Sequence, residues 1–302
     1  MKMQSCSRGL RELCRLLGYS PQAYYKYQKI LGKRVLEEDL VIGQVLAHRT
    51  LQPKLGGRKL YAMMETFMAD HHIDMGRDRL FDLLRENCLL NRKRRRSQPR
   101  TTDSGHWMKK YPDLIRGLVL SRADELWVSD ITYIRLKKSI FAYLSLVTDA
   151  YSRKIVGYHM NKDLSVQGPV AALEMALKGR TGNELLIHHS DRGSQYCCEN
   201  YIGLLNQAAI AISMTQSGDP RDNAIAERVN GILKLELLME VYPHLTSARE
   251  SAVKAVDIYN SVRLHSSIDM MTPDQAHGQT GPIQRKWKSW VNRPCRNRVP
   301  QF

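Results

Sequence analysis

Leu185-Leu186-Ile187-His188-His189-Ser190-Asp191-Arg192-Gly193-Ser194-Gln195-Tyr196 is the stretch on which the fold turns. Its apolar opening is short enough for a buried strand. The polar run that follows carries Asp191 to the point where a strand would give way to a glycine-containing loop. Downstream, Asp219-Pro220-Arg221-Asp222-Asn223 reads as a turn. Ala224 to Lys234 then reads as a helix, with Ile225, Val229, Ile232 and Leu233 at core-face spacing. Glu227 lies on its first turns. Lys234 is seven residues on, nearly the same side and roughly 10 Å further along the axis.

A third acid belongs with these two. Trp127-Val128-Ser129-Asp130-Ile131-Thr132-Tyr133-Ile134 mixes apolar, β-branched and aromatic residues as strands do, and Asp130 sits inside it. An acid within an apolar strand is costly unless something compensates the buried charge, such as a cation. Asp130, Asp191 and Glu227 offer carboxylate oxygens, the ligand type that suits magnesium or manganese. Spacing alone is weak support: 30 of the 302 residues are Asp or Glu, so an acid falls at any chosen offset about one time in ten.

The local wording is far more specific. Trp127-x-x-Asp130-x-Thr132-Tyr133, then His189-Ser190-Asp191-Arg192-Gly193-Ser194-Gln195-Tyr196, then Asp222-Asn223-Ala224-x-Ala226-Glu227-Arg228-x-Asn230-Gly231-x-Leu233-Lys234 resembles the DDE transposases of bacterial insertion sequences. In particular it is similar to the second-reading-frame transposases of the class related to retroviral integrases. The likeness runs from about Leu55 to about Ala276.

The resemblance implies an α/β fold: an RNase H-like catalytic domain with a mixed five-stranded sheet and helices, preceded by all-α helix-turn-helix-type DNA-binding units. In such a fold the first and fourth strands are neighbours, which brings Asp130 beside Asp191, and a helix starting near Asn223 supplies Glu227. It further implies two Mg²⁺ (or Mn²⁺) ions held by Asp130, Asp191 and Glu227. Water first frees the 3′ end of the element, and that 3′-OH then attacks another phosphodiester with no covalent enzyme intermediate. Lys234 matches the basic residue that holds the element's terminal nucleotides, and Asn223, Arg228 and Asn230 look like secondary members of that DNA surface. The implied partners are the terminal inverted repeats, target DNA, further copies of the chain on DNA, and the upstream-frame protein of the same element.

Composition points the same way. Lys and Arg number 46 against 30 Asp and Glu, a net charge of +16, which favours a polyanionic partner bound with salt-sensitive affinity. No run of 18 apolar residues and no signal-peptide core is present, so the expected location is the cytoplasm, with the nucleoid. The six cysteines form no CxxC pair and fit reduced thiols. His71, His72 and Cys88 lack a second cysteine at zinc spacing, so no structural zinc is expected.

Residues 1–50 read as helices. An amphipathic stretch from Arg8 to Leu17 stops at Gly18, and Ser20-Pro21 restarts a helix through Tyr24, Tyr25 and Tyr27, the outline of a helix-turn-helix unit or of any helical hairpin. Residues 51–97 are expected to be a helix-turn-helix-type DNA-binding domain, although Leu55-Gly56-Gly57-Arg58-Lys59 replaces the family's aromatic-rich opening phrase. Met63, Met64 and Met68 suit core filling. Arg92, Lys93, Arg94, Arg95 and Arg96 form a basic block suited to DNA phosphates. Residues 98–124 read as a linker, 125–278 as the catalytic core and 279–302 as a basic tail.

Within 125–278 three strands in series precede alternating helices and strands. Asp149 sits in a hairpin and reads as a turn former. His188 and His189 suit strand-end packing, with a role near the metals held open for His189. Ser247 and Glu250 stand in capping-box positions for a helix over 247–262, and Thr272 with Pro273 suits a later helix start. Two other functions remain to be weighed. A tyrosine recombinase is disfavoured because Arg263-Leu264-His265 has the wrong spacing and no tyrosine follows Tyr259. A non-catalytic DNA-binding regulator is disfavoured by the presence of all three acids and Lys234.

Overall fold

The computed structural model describes residues 9–91, 106–182, 184–216 and 223–283. The chain divides into two compact units, one of residues 1–51 and 55–92, the other containing 93–302. The basic block Arg92–Arg96 and the tail beyond residue 283 lie outside the described residues. Among the described residues no helix is long and apolar enough to cross a membrane.

The first unit is helical. Helix α1 (Leu10–Leu16) ends before Gly18, whose φ of 75° is a backbone conformation that only glycine adopts without strain. Helix α2 (Pro21–Leu51) starts with Pro21 at its first position, where the ring costs no hydrogen bond, and Ser20 Oγ accepts from the Ala23 N–H at 3.1 Å. α3 (Gly57–Asp70) and α4 (Arg77–Glu86) follow. Leu60, Met64 and Met68, four residues apart, share the buried face of α3 and meet Leu80, Leu83 and Leu84 of α4. Val41 and Val45 of α2 complete the same core. The last third of the long helix therefore packs in one core with α3 and α4. Arg79 of α4 donates through Nε to Glu38 of α2 at 3.1 Å.

The second unit is built on one five-stranded sheet: β1 (Leu126–Arg135), β2 (Phe141–Asp149), β3 (Ile155–Asn161), β4 (Ile187–Ser190) and β5 (Ala211–Met214), in the order β3-β2-β1-β4-β5. The first three strands are antiparallel, while β1, β4 and β5 run parallel. Parallel pairs need crossovers, supplied by α5 (Gln167–Gly179) between β3 and β4, and by α6 (Ser194–Cys197) with α7 (Glu199–Gln207) between β4 and β5. One face of the sheet packs Trp127, Val147 and Leu186 against Ala172 and Leu173 of α5 and Tyr201 and Leu205 of α7. The other packs Ile134, Leu144 and Leu146 against α8 (Ala224–Ile232) and α9 (Leu245–Ser261). Approach is closest at Gly157 of β3, where an added Cβ would lie 2.0 Å from the Ala172 carbonyl oxygen of α5.

Two local expectations change. α9 begins at Leu245, and the cap is His244, whose Nδ1 accepts from the Ser247 N–H at 3.2 Å, while Ser247 Oγ donates to the His244 carbonyl. A capping box at Ser247 and Glu250 therefore does not form. Asp149 does close the β2–β3 turn, its N–H donating to the Lys154 carbonyl at 2.8 Å, yet its carboxylate is fully buried. That carboxylate accepts from Asp124 N–H, Ser152 N–H and Ser152 Oγ at 2.8, 2.7 and 2.6 Å. The last helix, α10 (Pro273–His277), carries the expected cap: Thr272 and Gln275 bond reciprocally, with Pro273 at the first position.

Candidate active site

Strand alternation sets the faces. Val128, Asp130, Thr132 and Ile134 of β1 point toward α8 and α9; Trp127, Ser129 and Ile131 point toward α5 and α7. β4 lies parallel to β1 with Val128 opposite His189. Asp130 is two residues beyond Val128, and Asp191 is two beyond His189. Equal offsets on neighbouring parallel strands bring the two acids out at one level, on one face, where β4 ends. Asp191 Oδ1 accepts the Gly193 N–H at 3.0 Å, and a Cβ on Gly193 would sit 3.0 Å from that oxygen. Glycine keeps the loop tight against the carboxylate.

α8 covers this point. Asn223, Glu227, Asn230 and Lys234 follow at intervals of four, three and four, one stripe of a helix. Asn223 Nδ2 donates to the Ser129 carbonyl at 2.9 Å, tying the start of α8 to β1. Asn230 Nδ2 donates to Asp130 Oδ2 at 2.7 Å, and the Ile131 N–H donates to Asp130 Oδ1 at 2.9 Å. Both asparagines are buried. Their amides act on β1. Glu227 and Arg228 are exposed.

Charge is concentrated here. Burial pushes the Asp130 carboxyl up to about 7; the Asp191 charge adds to the rise, Glu227 adds less, and the donors from Ile131 and Asn230 oppose it. Past Ile232 the chain opens into a π-helical turn (Leu233–Leu237), closed by the Leu238 N–H donating to the Leu233 carbonyl at 2.8 Å. Lys234 leaves from this turn, still reached by solvent. Desolvation lowers its ammonium below the usual lysine range, and the Asp130 carboxylate opposes that effect.

The donor set suits hard divalent cations, since it consists of carboxylate oxygens that raise one another's affinity for positive charge. Among the described residues, no three His, Cys, Asp or Glu side chains are gathered tightly enough to hold an ion as they stand. Asp130 feels both other acids electrostatically, without the three converging on one point. His188 is settled as core: its Nε2 lies 2.7 Å from Ser129 Oγ and 2.9 Å from Tyr201 Oη, and burial, with the charge of His189 second, lowers its pKa to about 3. His189 is also buried, its Nδ1 2.8 Å from Ser213 Oγ of β5.

Arg263 and His265, the pair weighed for a recombinase, are internal, 1% and 5% exposed. Arg263 Nε and Nη2 donate to both oxygens of Glu236 at 2.8 and 2.9 Å. That guanidinium is committed within the protein. The sequence held no hint of this pairing, because its partners lie 27 residues apart.

The sheet order β3-β2-β1-β4-β5 sets Asp130 within β1 and Asp191 just past the end of β4, beneath a covering helix that bears Glu227. Family models described as the integrase core domain match residues 121–220 and 208–273. Over 269 residues the chain is 31% identical to the uncharacterized 31 kDa protein of insertion element IS600 from Shigella sonnei, covering 86% of this chain and 96% of that one. It is 32% identical to the transposase for IS629 from Shigella sonnei, over 53% of this chain and 54% of that protein. It is 35% identical to the putative transposase for IS986/IS6110 of Mycobacterium tuberculosis, over 47% and 53%. The chain thus spans about half the length of these last two relatives. Among solved structures, the HTLV-2 integrase catalytic core domain in complex with magnesium aligns over 52% of this chain and 97% of that one, at 20% identity and a TM-score of 0.40. The chain belongs to the insertion-element transposases that carry an integrase core.

Proposed function

We propose that this transposase cuts DNA at the ends of an insertion sequence and joins the freed ends to a target, with Asp130, Asp191 and Glu227 holding two Mg²⁺ or Mn²⁺ ions. The observation that carries the reading is the equal offset of Asp130 and Asp191 from the paired Val128 and His189 of β1 and β4, beneath the α8 stripe. It is supported by the rise of Asp130 to about 7, which burial drives and the Asp191 charge increases, as at a site where carboxylates are gathered out of water. Two bound cations would stabilise charge on both the entering and the leaving oxygen of the phosphodiester and make water or a 3′-OH a better nucleophile.

The chain's own groups do the rest. Asn230 and the Ile131 N–H fix the rotation of the Asp130 carboxylate, so that its oxygens need not reorganise when substrate arrives. Asn223 fastens α8, and with it Glu227, to the strand carrying Asp130. Lys234, exposed beside the acids, meets the phosphates of the element's terminal nucleotides, and exposed Arg228 lies on the same approach. In the first step a bond forms from a water oxygen to phosphorus as the bond to the 3′ oxygen breaks, leaving a 3′-OH. In the second, that hydroxyl oxygen bonds to a target phosphorus as the target's own P–O3′ bond breaks, the attacking proton is lost, and the displaced target strand leaves as a 3′-OH. The helices α3 and α4 supply a helix-turn-helix-type DNA contact, and Arg92–Arg96 adds affinity without sequence choice. An element has two ends, so two or more copies act together on DNA; the upstream-frame protein of the element is a further partner. The work takes place in the cytoplasm, on the nucleoid.

The test uses purified protein, Mg²⁺ and end-labelled duplexes carrying the inverted repeats that flank the coding DNA. Nicks leaving a 3′-OH are expected. Asp191→Asn should abolish nicking and leave duplex binding intact; robust cleavage by that variant would remove Asp191 from the metal site.

A further inference from the structure

The π-helical turn that presents Lys234 is a wide, poorly bonded conformation, of a kind that persists where its surroundings enforce it. Two contacts enforce this one. Leu233 is fully buried in the core between α8 and α9. At the other end Glu236, two residues beyond Lys234, is gripped by both forks of Arg263. Arg263 is in turn held by His265, whose Nε2 lies 3.0 Å from Nη1, and by the ring of Tyr259, whose centroid is 6.0 Å from the guanidinium carbon. A buried ion pair adds little net stability, because desolvation of the two charges offsets their attraction. What it does supply is geometry: the two parallel bonds of an arginine fork fix the orientation of the carboxylate they grip.

We propose that Arg263 and Glu236 are positioning residues, whose pairing holds the π turn open so that Lys234 stands over Asp130 and meets the DNA end. The inference rests on the reading of Lys234 given above. Arg263 meets neither the DNA nor Asp130, Asp191 or Glu227, and acts only through the turn. Lysine in its place keeps the charge and loses the fork.

The test is a double-mutant cycle of Arg263→Lys and Lys234→Ala, read as the affinity for a labelled duplex ending in the inverted repeat and as its dependence on salt. Lys234→Ala should loosen binding about tenfold and reduce the salt slope by about one, as loss of one phosphate contact does. Arg263→Lys should do the same with its charge retained, and should add less than twofold in the Lys234→Ala background. Full multiplicative effects in the double variant would mean that Arg263 merely supports the fold, and would overturn the proposal. So would wild-type binding by Lys234→Ala, which would leave nothing to position; the catalytic reading is judged separately, by Asp191→Asn. If Arg263→Lys does not fold, Glu236→Gln takes its place in the cycle, with the same expectations.

Discussion

Removing the charge at Asp130 should make the protein more stable while making it inactive. The Asp130 carboxyl stands at about 7 against an ordinary value of 3.8, a rise of about 3 units, or on the order of 4 kcal/mol at about 1.4 kcal/mol per unit. The sign follows from the direction. A carboxyl whose pKa is raised by folding favours the folded state below pH 3.8, and that contribution is lost as pH climbs through about 7. At pH 8 and without divalent metal, the wild-type chain therefore carries almost the whole penalty. Asp130→Asn removes it but leaves one of two donors, the Ile131 N–H or the Asn230 amide, facing an NH₂ group, at a cost of about 1 kcal/mol. The net expectation is a gain of about 3 kcal/mol at pH 8, shrinking below about 1 kcal/mol at pH 5. Urea unfolding in EDTA at both pH values, followed by circular dichroism, measures it. Millimolar Mg²⁺ should narrow the gap at pH 8 by binding only the ionised wild type. An Asn variant with no pH-dependent advantage would refute the claim that Asp130 is held in a charge-starved position.

Packing and capping give further expectations. Gly157→Ala drives a methyl into the Ala172 carbonyl, so the urea midpoint should fall by the equivalent of about 3 kcal/mol. Gly203→Ala, with open space around it inside α7, should raise stability by about 0.5–1 kcal/mol. Thr272→Ala removes the cap of α10, the hydroxyl that accepts the Gln275 N–H, and should cost about 1 kcal/mol in the same assay.

Much of the catalytic unit was legible because its signals are local. The apolar run before His188 and the mixed run around Asp130 are strands in the structure, and the helix bearing Glu227 starts at Ala224 as its turn and core spacing suggested. The pairing of the first strand with the fourth came from the resemblance, since no periodicity announces which strands meet. The hydrogen bonds of Asn223 and Asn230 were not legible, because their partners on β1 lie 94 and 100 residues away. The α9 cap was missed because histidine is a rare cap, and serine three residues later looked the better candidate. The Arg263–Glu236 pair beside the π turn left no trace, because Arg263 lies 27 residues along the chain and carries a charge that normally signals solvent.

Because Asp130 follows Val128 by two residues and Asp191 follows its partner His189 by two, just past β4, their meeting depends on counting. Insert or delete a single residue in β1 ahead of Asp130, and every side chain beyond the edit exchanges faces: Ile131 would enter the pocket, and Asp130 would be driven among Trp127, Leu173 and Tyr201. A copy so altered would keep its composition and nearly all of its sequence, and one lost codon in this strand would be enough to part the two acids.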